Sequence, residues 1–160
     1  VFGDWSSDVC SSDLPMKKNS LAFHLKKLIS EKIIEDLIEK NISILQEDSL
    51  EIIKNGRQFK TDISTIDLLC KDKKGYVVVE LKKGKTEDQV VGQILRYMGW
   101  ARDNLSIGKE VRGIIVVVDE MITDKLLKAI RGLQSNFEII KLKKLDLGFS
   151  ASNIEDIKVN

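Results

Sequence analysis

Between Met16 and Leu45 the apolar residues Leu21, Leu25, Leu28, Ile29, Ile33, Ile34, Leu37 and Ile38 return at steps of three and four, the spacing of one helical face. Ser30 followed by Glu31 reads as an N-cap with an acid in the first turn, so two consecutive helices are expected, the second starting at Glu31. Residues 50–60 and 65–71 are rich in Ile, Leu and Phe, and Asp72, Lys73, Lys74 and Gly75 form a turn before the β-branched run 76–81. The pattern predicts three strands, the last two a hairpin. Thr86 with Gln89 three residues on is a capping-box pattern that opens a helix to about residue 104, its apolar stripe made by Val90, Val91, Ile94, Leu95, Met98, Ala101 and Leu105. Residues 111–118 are almost wholly apolar, which marks a central strand covered on both faces. Thr123 caps a further helix through about Leu133, and residues 137–145 read as a last strand. An α/β sandwich around a mixed sheet follows from that order.

Composition narrows the picture. With 160 residues, 42% hydrophobic and 32% charged, one proline and ten glycines, the chain fits one soluble domain and no disordered or collagen-like class. No apolar run approaches the roughly 20 residues that cross a bilayer, and no secretory signal is evident, so a cytoplasmic protein without membrane contact is expected. Cys10 and Cys70 show no metal-ligand spacing, and Cys70 reads as a small apolar strand residue. His24, between Phe23 and Leu25, has no ligand partner near it in sequence. The segment from Gly3 to Leu14 lacks periodicity and resembles the in-frame translation of a sequencing-library adapter. Residues 1–15 are therefore set apart, leaving a domain over 16–149 and a polar tail over 150–160. Without Asp4, Asp8 and Asp13 the chain has 22 acids against 26 bases, so the net charge moves from +1 to +4, compatible with a polyanionic partner.

The chemistry concentrates in the predicted hairpin. Asp67 lies in mid-strand among Ile66, Leu68 and Leu69, where a carboxylate is costly without a positive partner. Glu80 and Lys82 stand two apart on the next strand, so both project from one face while Val79 and Leu81 take the other. The turn at 72–75 brings Asp67 and Glu80 together across adjacent strands, where two carboxylates could share one Mg²⁺ or Mn²⁺. Such an ion lowers the pKa of bound water and stabilises charge on a phosphodiester, with Lys82 as a neighbouring cation. By themselves the three residues fit a cross-strand ion network on a solvated face equally well.

The order Asp67, hairpin, Glu80, Leu81, Lys82 resembles the PD-(D/E)XK nuclease superfamily. More closely, Gly56-Arg57-Gln58, Ile66-Asp67-Leu68-Leu69, Val79-Glu80-Leu81-Lys82 and the block from Gly92 to Trp100 are similar, in that order, to the nuclease domain of the NucS endonuclease family. The likeness continues through Val111 to Ile115 and covers roughly residues 31–147. It implies a restriction-endonuclease-like α-βββ-α-β core and a DNA endonuclease acting in repair on branched, single-stranded or mismatched DNA. Asp67 and Glu80 would bind metal, Lys82 would assist the attacking water, and a first-helix acid would join them. Glu31 is preferred over Glu35 for that role. Gln93 corresponds to the family's glutamine, with Arg96 and Tyr97 on nearly the same face, and Arg57 would aim at phosphate. NucS proteins of archaea and actinobacteria add an N-terminal domain for dimerisation and DNA binding, whereas one or two helices precede the catalytic block here. Pairing of two chains stays open, and the tail shows no clamp-binding box with paired aromatics. The rivals are another branch of the superfamily, such as a restriction-like or junction nuclease, and a nucleic-acid-binding module without hydrolysis. Trp100 reads as packing rather than a base-stacking platform.

Overall fold

The computed structural model describes residues 21–45, 47–105, 108–118, 122–133 and 140–148. The adapter-like segment, the polar tail and the first residues of the predicted last strand lie outside them. The elements are α1 (Leu21–Leu28), α2 (Glu31–Lys40), a 3-10 turn (Ile42–Leu45), β1 (Glu51–Lys60), β2 (Thr65–Lys71), β3 (Gly75–Lys83), α3 (Gln89–Asn104), β4 (Glu110–Val118), α4 (Asp124–Leu133) and β5 (Ile140–Leu145). Among the described residues no helix is long and apolar enough to cross a membrane.

One mixed sheet carries the strands in the order β1-β2-β3-β4-β5. The first three pair antiparallel, and β3, β4 and β5 run parallel. Alternation along β3 and β4 divides the core. Val77, Val79, Leu81, Ile114, Val116 and Val118 pack against Ile34 and Ile38 of α2. Val78, Ile115 and Val117 pack on the opposite side under Ile94 and Met98 of α3 and Leu126 and Ile130 of α4. Two buried faces explain why β4 reads as an unbroken apolar run. Cys70 is a free, fully buried thiol, and burial pushes it up to about 12, as suits an inert core residue.

Local signals set most boundaries. Ser30 caps α2 by accepting the Ile33 amide at 3.3 Å. The β2–β3 turn closes on Asp72, whose Oδ1 accepts the Lys74 and Gly75 amides at 2.8 and 3.1 Å. Thr123 accepts the Leu126 amide at 3.3 Å and so caps α4.

The expected capping box at Thr86 does not form. Thr86 is buried, its hydroxyl donates to the Gly84 carbonyl at 3.0 Å, and it bridges to Ile122. Tying the exit of β3 to the approach of α4 uses this residue up, so α3 starts at Gln89 behind Asp88, whose side chain makes no cap bond.

β1 departs furthest from regular geometry. Its register passes from Ile52↔Cys70 to Arg57↔Leu68, so residues 53–56 stand against Leu69 alone. Asn55 and Gln58 take left-handed φ values of 59° and 46°. Gly56 is required at this bulge, because a Cβ there would collide with the Leu69 carbonyl oxygen and meet the Ile53 carbonyl oxygen at 2.9 Å. Gly113 serves a different need. It lets α3 close onto β4, since a Cβ would come within 2.8 Å of Ile94 and Met98.

Gly56→Ala should lower unfolding free energy by about 2 kcal/mol or more, because the obstruction is backbone and cannot rotate away. Gly92→Ala on exposed α3 surface, where a Cβ meets nothing within 4 Å, should instead raise it by about 0.5–1 kcal/mol. Urea unfolding of the two variants beside the wild type checks both signs.

Candidate active site

The site forms where β3 runs out of apolar residues. Val78 still packs beneath α3, and two residues further on the same face carries Glu80, 1% exposed. Lys82 follows on that face, and its Nζ donates to Glu80 Oε1 at 2.7 Å. From α3, Gln93 Nε2 donates to the same oxygen at 2.6 Å and to the Tyr97 hydroxyl at 3.2 Å. The Tyr97 hydroxyl donates in turn to Ser64 Oγ at 3.1 Å, joining α3 to the β1–β2 connection. Gln93 and Tyr97 are four apart, so one helical face aims both at the end of β3.

Asp67 lies one step beyond the Leu68↔Val79 pair, which puts it beside Glu80 across the ladder. Its Oδ2 accepts the Leu81 amide at 2.8 Å. Glu80 Oε2 is buried and has no hydrogen-bond partner. Burial pushes the Glu80 carboxyl up to about 7, the Asp67 charge adds to the shift, and Lys82 opposes it. Burial also raises Asp67, against the Leu81 amide and the Lys82 charge. Burial alone would lower Lys82, but its hydrogen bond to Glu80 and the charges of Glu80, Asp67 and Glu31 raise it instead.

α2 contributes acids from the other side of Asp67. Glu31 Oε1 accepts the Lys83 amide at 2.9 Å, and Lys83 Nζ reaches back to the Ile29 carbonyl, so the start of α2 is tied to the end of β3. Glu35 is one turn on and 7% exposed. It accepts Gln58 Nε2 at 2.8 Å and Arg57 Nε at 3.3 Å. Burial raises Glu35, the Asp67 charge reinforces this, and Arg57 and Gln58 pull it down. An open cleft of about 690 Å³ is lined by Glu31, Lys32, Glu35, Arg57, Gln58 and Asp67.

Asp67, Glu80, Lys82, Gln93 and Tyr97 thus meet at one sheet end, with both Glu31 and Glu35 beside them. Arg57 is engaged elsewhere. Its guanidinium pairs with Glu35, Asp36 and Glu39 of α2, so a phosphate would have to displace those carboxylates. Arg96 is exposed on α3 outside the Glu80 network. Trp100 packs at the rim, tilted against Phe59 with centroids 5.8 Å apart, and its indole donates to Asp62. Gln58, which no periodicity or spacing singles out, carries one signal in the sequence, its place in the Gly56-Arg57-Gln58 block.

The donor set suits a hard divalent cation. A buried carboxylate oxygen without a donor, next to a second carboxylate, is where such an ion would complete the polar accounting. Among the described residues no group of three or more His, Cys, Asp and Glu is placed to hold a metal ion together, so the candidate protein donors are the two carboxylates Asp67 and Glu80. The Asp67–Glu80 pair would leave several positions for water and substrate.

The sequence profile of the Endonuclease NucS C-terminal domain matches residues 30–149. The chain is 31% identical over 104 residues to Endonuclease NucS of a Parafrankia species, which covers 62% of this chain and 47% of that protein. It is 38% identical over 72 residues to Endonuclease NucS of Sulfolobus acidocaldarius, covering 41% of this chain and 28% of that protein. The chain therefore spans half or less of these relatives' length. Among solved structures, a repair endonuclease from Pyrococcus abyssi superposes with TM-score 0.59 and 28% identity over 74% of this chain and 47% of that one. A complex of EndoMS with double-stranded DNA superposes with TM-score 0.60 and 24% identity over 76% and 46%, a likeness of fold. Both confirm the α/β architecture expected from the strand and helix order.

The raised Glu80 value has a consequence for stability. A carboxyl whose folded pKa is about 7, above its unfolded value, favours the fold at low pH and loses that contribution as pH rises through about 7. In EDTA, stability should fall between about pH 4.5 and 7 by roughly 3 kcal/mol from this group. Glu80→Gln should flatten the decline and melt above the wild type at pH 8. Thermal unfolding across that range checks it, and a variant melting lower at pH 8 would show that Lys82 holds the carboxylate favourably charged.

Proposed function

The chain belongs to the Endonuclease NucS C-terminal domain family, and from that premise we propose that it hydrolyses DNA phosphodiester bonds with Mg²⁺ or Mn²⁺ held by Asp67 and Glu80. The observation that carries this reading is the buried, unpartnered Oε2 of Glu80 beside Asp67. When bound, such an ion polarises the phosphate and makes water a better nucleophile near neutral pH.

The chain's own residues supply the rest. Lys82 keeps its proton because Glu80 and Asp67 face it, so it offers a fixed positive charge to a phosphate oxygen as negative charge builds there. Gln93 spends its amide on Glu80 Oε1 and Tyr97, which orients Glu80 with Oε2 free. Glu31 and Glu35 place a further acid near Asp67, Glu31 exposed and tied to Lys83, Glu35 buried and bonded to Gln58 and Arg57. Arg96 and the exposed side of α3 are available to the DNA backbone, and Arg57 could join only by leaving its α2 carboxylates. The name of the Pyrococcus abyssi relative, a repair endonuclease, supports a role in DNA repair; the proposed substrates are branched, single-stranded or mismatched DNA. Two chains acting together would allow both strands to be cut.

The test incubates the 160-residue protein with labelled single-stranded, branched and mismatched DNAs, in EDTA and in Mg²⁺ or Mn²⁺. Cleavage is expected only with metal. Asp67→Ala and Lys82→Ala are each expected to slow it by at least about 100-fold. Cleavage that survives either substitution would refute this site, and metal-independent binding without cleavage would favour the nucleic-acid-binding module.

A further inference from the structure

In a regular strand, consecutive side chains point to opposite faces. Arg57 and Gln58 are consecutive in β1, yet both reach the same carboxyl group, that of Glu35 on α2. The left-handed φ of 46° at Gln58 accompanies this break in alternation. Glutamine adopts that region only at a steric cost, and such strain persists where surrounding contacts over-determine it. The β1 bulge sets up the arrangement, since residues 53–56 stand against Leu69 alone and Gly56 presses on the Leu69 carbonyl.

The side chain held this way is a bridge. Gln58 Nε2 donates to Glu35 Oε1 at 2.8 Å and, by a longer bond of 3.4 Å, to Asp67 Oδ1. The other Asp67 oxygen is fixed by the Leu81 amide. One amide thus links two carboxylates from different elements and limits rotation of Asp67. We propose that Gln58 is a positioning residue for Asp67, held in a strained backbone conformation so that its amide couples the α2 acid Glu35 to the Asp67–Glu80 pair. This rests on the reading that Asp67 and Glu80 hold a divalent ion. Gln58 itself has no part in holding metal or phosphate; it sets the angle of Asp67. A lysine or arginine there would set a positive charge against both carboxylates, where the glutamine amide links them without one, and a shorter amide would not span both acids.

Three variants separate positioning from folding. Gln58→Leu keeps bulk and removes the donor, Gln58→Asn tolerates the left-handed region but shortens the reach, and Gln58→Gly relieves the strain. Mn²⁺ affinity is read by electron paramagnetic resonance of the free ion, with thermal melting and DNA-cleavage kinetics alongside. In all three variants Mn²⁺ affinity should weaken about 10-fold or more, and kcat should fall about 10- to 100-fold with KM for DNA within about 2-fold. Gln58→Gly should melt no lower than the wild type, so its defect cannot be ascribed to unfolding. If the wild type binds Mn²⁺ and Asp67→Ala abolishes binding, but Gln58→Leu and Gln58→Gly match the wild type in affinity and kcat, the positioning role is overturned while the nuclease reading stands. If the wild type binds no Mn²⁺, the metal reading falls and the positioning role falls with it.

Discussion

A single carboxylate buried at the end of the central hairpin governs this structure. Glu80 occupies a strand position that the alternation of β3 turns toward the α3 core, where the neighbour on the same face is Val78. Such a group is tolerated only with compensation, and the compensation is lopsided: Lys82 and Gln93 both serve Oε1, and nothing serves Oε2. Around that imbalance α3 presents its polar pair, Gln93 and Tyr97. The β1–β2 connection is drawn in through Ser64.

Asp67 is the joint between two polar systems. Toward β3 it shares the field of Glu80 and Lys82, and toward α2 it is tied through Gln58 to Glu35. Three carboxyl groups, Asp67, Glu80 and Glu35, are all raised, each chiefly by burial. Concentrated unfavourable charge of this kind costs stability and marks a functional site more often than a structural one. The surrounding apolar sheet, with β3 and β4 buried on both faces, supplies the rigidity that holds the acids together.

α2 does more than cap one face of the sheet. Ile34 and Ile38 bury its apolar side, while Glu35, Asp36 and Glu39 collect Arg57. The guanidinium is thereby a clamp between α2 and β1, which keeps Glu35 within reach of Gln58. A residue type suited to phosphate is here occupied with acids, because three carboxylates clustered along α2, the adjacent Glu35 and Asp36 and Glu39 one turn beyond Glu35, offer it more than open solvent does.

Periodicity is a local property, and what depended on it was readable from the chain alone. Spacings of three and four gave α2 and α3, the unbroken apolar run gave β4, Asp72 and Gly75 gave the hairpin turn, and a spacing of two put Glu80 and Lys82 on one face. Residue chemistry then pointed to Asp67 as their neighbour. Contacts between distant elements decided the rest. Thr86 was lost to a bridge with Ile122, Glu35 was buried by docking of α2, Arg57 turned to that helix, and Gln58 became a link to Asp67. None of these leaves a periodic trace, because each depends on a contact between separate elements, and at Gln58 also on a backbone irregularity. The Leu69 carbonyl against Gly56 is the clearest case.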